Sequence, residues 1–171
     1  TDCYQKSKKC HVVNLCKSYQ YQSAGYYVSL LAEARGHKVI PSVNTLQDFR
    51  FPALIKEDAE DFDELIQQLF KKSTEAKVEL MVFFGQTVDS KYAKVGSLLF
   101  NLFQVPILKA SFSKKEKWSL SQLKTQNLKD LESEEIIRFF KSSAIQYLEG
   151  KRRKNPLKKN LCEKSKKFDI V

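Results

Sequence analysis

Three short stretches of this 171-residue sequence gather the side chains best suited to meeting a ligand. The first runs from Lys17 to Gly25 and carries Ser18, Tyr19, Tyr21 and Gly25, with Tyr26 directly after it. The second, Pro41 to Asn44, offers Ser42, and the third, Gly85 to Asp89, offers Gly85, Gln86 and Thr87. These residue types bind rather than make or break bonds. A glycine at a helix N-terminus lets an anion such as a carboxylate or phosphate approach free backbone N–H groups. Lysine, serine and tyrosine beside it can add donors and stacking surface. The same tyrosines could instead pack over a sheet edge with their hydroxyls in water.

The sequence contains no convincing catalytic set of its own. His11 and His37 are its only histidines and form no HExxH pair. Cys3, Cys10, Cys16 and Cys162 match neither a CxxC redox motif nor paired zinc-ligand spacing. Free thiols in a reducing cytoplasm are the simpler reading. Neither GxGxxG nor GxxxxGK[ST] follows the first apolar run, which leaves a dinucleotide fingerprint and a P-loop unsupported. Glu33 and Arg35 are expected on a solvated helix face, and His37 at a helix C-terminus, where the partial negative charge favours it. The carboxylates Asp58, Glu60, Asp61, Asp63 and Glu64 are explained by the start of a helix.

The elements that must position these loops follow from periodicity. His11 to Cys16 (HVVNLC) is a short apolar run of the kind buried on both faces of a sheet. Gly25 then opens a helix whose apolar positions Tyr27, Leu30, Leu31 and Ala34 recur at i, i+3, i+4 and i+7, one face of a helix. Gly36 stands where a left-handed C-terminal cap belongs, and Lys38 to Val43 is again extended. Together these make a right-handed βαβ unit. Asn44 to Asp58 reads as a loop around Pro52. Asp61 and Glu64 form a capping box for a helix with Phe62, Leu65, Ile66, Leu69 and Phe70 on one face.

Val78 to Phe84 (VELMVFF) predicts a central parallel strand closed by Gly85. Asp89-Ser90 cap a helix with Tyr92, Val95, Leu99, Leu102 and Phe103 on one side, stopped by Pro106. Ile107–Phe112 and Trp118–Leu123 pair as a hairpin. Ser133 caps a last helix carrying Ile136, Ile137, Phe140, Ala144, Tyr147 and Leu148, which Gly150 ends. The expected fold is α/β: a three-layer Rossmann-like, mostly parallel sheet with helices on both faces and a late antiparallel hairpin at the edge. Ligands of such sheets bind outside the carboxyl ends of the strands, where the three loops above would lie.

The run Gly25-Tyr26-Tyr27-Val28-Ser29-Leu30-Leu31-Ala32-Glu33-Ala34-Arg35-Gly36-His37, followed by Val39-Ile40-Pro41, resembles the N-terminal domain that precedes the catalytic part of RimK-like ATP-grasp ligases. Asn14-Leu15-Cys16, Ser18-Tyr19 and Tyr21 are similar to that family too. So are Phe84-Gly85 and the closing Phe168-Asp169-Ile170. The likeness spans nearly the whole chain, and its specific motif lies in the first third. It implies a single accessory domain over residues 1–150 that covers an active site or helps select a small-molecule or peptide carboxylate substrate. The parent enzyme would join a carboxylate to an amine through an acyl-phosphate. ATP and Mg²⁺ would be held by a downstream ATP-grasp domain, with no cofactor in this part.

Composition bounds the alternatives. An apolar share of 42% suits a folded core, and no apolar run approaches the ~20 residues of a membrane span. Thr1 in place of a methionine suggests a trimmed start. The net charge of +10 is concentrated in residues 151–167, where nine lysines and arginines face Glu163 alone. That segment reads as a basic linker, with residues 168–171 as the first residues of a next domain cut short. A nucleic-acid-binding module is the second reading, and it would be salt-sensitive. The segment has no aromatic side chain to stack on a base, which disfavours nucleic acid as a partner. A third reading, half of a glycosyltransferase-like enzyme, rests on the glycine-led helix ending in Arg-Gly-His before a strand.

Overall fold

A computed structural model describes residues 10–49, 60–71, 73 and 75–149, with the side chains of residues 60–62 outside that set. Strand β1 (His11–Val13), helix α1 (Ala24–Ala34) and strand β2 (Lys38–Ile40) form the expected opening crossover. The two strands are parallel, with His11 opposite Lys38, Val12 opposite Val39 and Val13 opposite Ile40. Gly36 adopts φ 72°, and the N–H groups of Gly36 and His37 donate back to the Glu33 and Ala32 carbonyls, closing α1 as the sequence predicts. The extended run stops at Ile40. Ser42 then caps a six-residue helix α2 (Val43–Asp48), where a loop was expected.

The remaining strands depart from the expected parallel sheet. β3 (Lys77–Phe83), β4 (Ile107–Lys114) and β5 (Trp118–Thr125) pair in that order, and both pairings are antiparallel. Among the described strands only β1 and β2 are parallel, and the hydrogen-bonded ladders form two small sheets rather than one three-layer, mostly parallel one. The β4–β5 hairpin does form, with β5 at the edge of its sheet. The physical reason for the departure lies in β3. Its near-continuous apolar run reports burial on two faces, and that says nothing about strand direction. Val78, Leu80 and Val82 point to one core and Phe83 to another, while Lys77 and Glu79 stay exposed at the far end.

The larger core lies between this antiparallel sheet and helices α3 (Glu60–Phe70) and α4 (Ala93–Phe103). α3 buries Ile66 and Phe70 and rests Leu65 and Leu69 on them, the face its periodicity predicts. Its expected cap residue Asp61 and its Phe62 have side chains outside the described set. Asp89 caps a 3₁₀ turn (Ser90–Tyr92) that leads into α4, whose Val95, Leu99 and Phe103 are buried while Leu102 remains exposed. The second core joins Ile40, Phe83, Phe84 and Ile107 to Phe140 on α5 (Glu134–Leu148), with Val13 packed at its margin. The carboxyl ends of β1, β2 and β3 therefore converge on one cluster.

Helix α1 turns its apolar stripe outward. Gly25, Ser29 and Ala32 are its buried residues, whereas Tyr27, Leu30, Leu31 and Ala34 are exposed. A close approach of helix to strands requires small side chains on the contact face, and the bulky stripe is left outward.

Phe70 anchors the larger core. It is fully buried, with ring centroids 4.8 Å from Trp118, 5.1 Å from Phe112 and 5.5 Å from Tyr92. Replacing a buried phenylalanine by alanine removes its transfer energy and leaves a cavity, so Phe70→Ala should lower stability by about 3–5 kcal/mol. Urea unfolding followed by circular dichroism measures it, and a loss under 1 kcal/mol would contradict this packing.

Candidate functional site

The loop after β1 is organised by a residue that spacing arguments did not single out. Asn14 is 2% exposed, and each of its polar groups has a partner. Its side-chain amide donates to the Gly25 carbonyl at 2.7 Å and to Ser29 Oγ at 2.9 Å, while its Oδ1 accepts from the Cys16 N–H at 3.1 Å. Its backbone N–H donates to the Ile40 carbonyl at 2.9 Å, and its carbonyl accepts from the Tyr19 hydroxyl at 2.7 Å. Fully buried Ser29 passes the network on by donating to the Pro41 carbonyl at 2.7 Å. One asparagine thus joins the end of β1, the first turns of α1 and the end of β2. Two signals for it were present: a lone amide closing the apolar run HVV, and a lone serine among the apolar positions of α1.

This geometry gives Gly25 a definite role. A Cβ there would stand 2.2 Å from the Ser18 carbonyl oxygen, 2.9 Å from Cys16 Cβ and 3.0 Å from Tyr19 Cδ1. The loop itself lies against the helix start at the place where the sequence reading put an anion. Ser23 is the cap of α1: its Oγ accepts from the Tyr26 N–H at 3.3 Å and donates to the Ser18 carbonyl at 2.9 Å. Ser18 Oγ accepts from the Gln20 N–H. Tyr19 lies inside the loop, and burial, with the Cys16 thiol beside it, pushes its phenol above the usual range, so it acts as a neutral donor. Tyr21 is exposed and Tyr26 half-buried, the two in an edge-to-face pair with centroids 5.1 Å apart, and Tyr26 makes a similar pair with Tyr27 at 5.6 Å.

The second loop is joined to the first through Ser29 and Pro41. Ser42 caps α2, its Oγ accepting from the Thr45 N–H at 3.1 Å and lying 2.9 Å from Thr45 Oγ1. Glu33, expected on a solvated face, accepts the Val43 N–H at 3.0 Å and so holds α2 against α1. His37 does not cap α1 through its ring. Its Nδ1 accepts the Cys10 N–H at 3.3 Å, at the entry to β1.

The third loop is a tight turn that packs on other elements. Phe84 and Gly85 have φ 51° and 84°, and Phe83 and Gln86 exchange both backbone hydrogen bonds across them, as a type I′ turn requires. Phe84 holds its strained backbone by packing on Tyr147 (centroids 5.1 Å) and Phe140 (5.8 Å). A Cβ on Gly85 would press on Phe100 at 3.1 Å. Gln86 donates to Gln146 at 2.7 Å and accepts from buried Ser143 at 3.1 Å, which ties the turn to α5. Thr87 is buried and donates to the Asp89 carbonyl. The network therefore brings Ser18, Tyr19, Gly25 and Ser42 close, leaves Tyr21 exposed and Tyr26 half-buried, and anchors Gly85 and Gln86 to α4 and α5.

A shallow cavity of about 420 Å³ lies along the outer edge of β3, lined by Leu80, Met81, Tyr92 and Ile136 with the carboxylates Glu79, Asp89 and Glu135. None of the nine candidate residues lines it. Glu79 is already paired, at 2.8 Å to Lys77 and 2.7 Å to Lys109, and these hydrogen bonds pull its carboxyl down to about 2. Among the described residues no group of three His, Cys, Asp or Glu side chains is placed to hold a metal ion.

Residues 1–142 match the family model described as RimK-like ATPgrasp N-terminal domain. The chain belongs to this family. No curated protein and no solved structure matches it. At the start of α1 the Ser18 carbonyl lies against Gly25, where an open phosphate cradle would need free space.

Two outcomes test this geometry. Asn14→Leu strands the buried partners of the amide and should cost roughly 3 kcal/mol or more. Gly25→Ala should cost ~1–3 kcal/mol by forcing the Ser18 carbonyl away. Both are read by urea unfolding, and a neutral result for either removes the hub from the account. Separately, Glu79 should titrate near pH 2 by carboxyl NMR shift instead of at 4.5. Because its folded pKa is depressed, the pair's contribution is complete above pH 4.5 and fades as pH falls toward 2. A midpoint above 4 would mean that the two lysines do not engage it in solution.

Proposed function

We propose that this chain is the accessory N-terminal domain of an ATP-grasp carboxylate–amine ligase, and that it helps select the carboxylate substrate. The family match over residues 1–142 carries the reading. In this division of labour the ATP-grasp part binds ATP and Mg²⁺ and activates the carboxylate as an acyl-phosphate. The part described above contributes the loops at the carboxyl ends of β1 and β2, which the Asn14 network holds in one arrangement. Tyr21 and Tyr26 are then the groups available to a small-molecule or peptide carboxylate, while Ser18 and Ser42 hold the loops through their bonds to Gln20, Ser23 and Thr45. A fixed loop suits selection, since a preorganised site spends no binding energy on ordering itself. The enzyme's place of work, on this reading, is the cytoplasm. Of the proposed regions, the basic linker 151–167 and the next-domain start 168–171 lie outside the described residues.

Isothermal calorimetry on the 171-residue chain with ATP and Mg²⁺ tests the division. The expected result is no heat of binding below millimolar ATP. Clear micromolar binding would place the nucleotide on this domain and overturn the proposal.

A further inference from the structure

The outward side of α1 combines three properties that surface helices rarely share. It is apolar: Tyr27 is 45% exposed, Leu31 49%, and Val28 and Leu30 38% each, with Tyr21 at 56% joined to Tyr27 through Tyr26. It is poor in charge: from Ser18 to Ala32 there is no Asp, Glu, Lys, Arg or His, and exposed Lys17, Glu33 and Arg35 stand only at the ends of that run. And the helix is anchored on its other side by Gly25, Ser29 and Ala32, so rotation cannot bury the bulky stripe without breaking the Asn14 and Ser29 bonds. Contiguous apolar patches of several hundred Å² mark interaction surfaces.

Area and charge select the occupant. At the 150–250 Å² that an aromatic side chain can bury, and less for Val and Leu, the exposed fractions of these five residues amount to roughly 400 Å². A stable complex between free partners needs about 800 Å² from each. A partner on the same polypeptide needs less, because the tether supplies an effective concentration near millimolar. Interfaces between domains of one chain also start near 600 Å² in total. The scarcity of charge rules in a neutral, apolar counterpart and gives little hold to nucleic acid or to an acidic peptide. We infer that the outward face of α1 is the docking surface for the ATP-grasp part of the same polypeptide. This rests on the function proposed above and adds to it the surface through which the two parts join.

The test compares the 171-residue chain with the polypeptide that continues it through the ATP-grasp part, each carrying Leu31→Cys and each set against its parent as background. Labelling of the new thiol with an aromatic disulfide should run at a free-thiol rate in the shorter chain and at least tenfold slower in the longer one. Leu31→Lys in the longer protein should restore trypsin cleavage between the parts. Equal labelling rates in both proteins, with ATP-dependent ligation intact in the longer one, would overturn the docking surface and leave the ligase reading standing. Slowing that appears in the shorter chain as its concentration rises would assign the face to a second copy and overturn it as well. A longer polypeptide without an ATP-grasp part would bring down both.

Discussion

A buried polar group must find partners, and in this protein one amide satisfies that demand by joining three elements. Asn14 stands at 2% exposure where β1 ends, and water cannot serve it. Its five polar contacts reach α1, β2 and the intervening loop. Each bond is worth only about 1 kcal/mol net, but losing the amide would leave several buried groups unpaired at once, at about 1–3 kcal/mol each. The hub therefore acts less as a source of stability than as a restriction on where the loop can go. With the Asn14 carbonyl held by Tyr19 and the Ser18 carbonyl pressed toward Gly25, the strand-to-helix turn has one arrangement.

That restriction explains why α1 turns its apolar stripe outward. The carbonyl of Gly25 and the hydroxyl of Ser29 must meet the amide, so the side of α1 that carries them has to face the strands. Ala32 continues that side one turn on. Leucines or tyrosines there would hold the helix too far away for hydrogen bonds of 2.7–2.9 Å. The large apolar residues are consequently displaced to the outside. Ordinarily hydrophobic burial, at about 25 cal/mol per Å², decides a helix's rotation. Here a polar network and close packing decide it, and the apolar surface is left for another partner.

The far end of the molecule follows the more usual logic. Phe70, Phe112 and Trp118 pack in a cluster of rings, and Gln67 hydrogen-bonds both backbone groups of Trp118, fixing α3 to the start of β5. Phe84 tolerates a left-handed backbone because Phe100, Phe140 and Tyr147 surround its ring. The two cores meet along β3, whose alternate residues serve one and then the other. The carboxyl ends of β1, β2 and β3 are brought together this way, although β3 pairs in the opposite sense from the expected sheet.

Local pattern alone determined the elements and the family. The apolar stripe Leu65, Ile66, Leu69, Phe70, the hairpin around residues 115–117, the left-handed cap at Gly36 and the Gly25–Pro41 motif are all legible because each depends on neighbours a few residues away. Strand direction, helix rotation and the roles of single residues were not legible. An apolar run such as 78–84 reports that both faces are covered and is silent on which strand lies beside it. The i, i+3, i+4 stripe of α1 reports an apolar face but not which partner covers it. No periodicity marks Asn14 and Ser29, since their importance comes from partners 11 to 15 residues away in sequence and under 3 Å away in space. Only the folded chain sets those distances, because the requirement that every buried donor and acceptor be paired acts on three-dimensional neighbours.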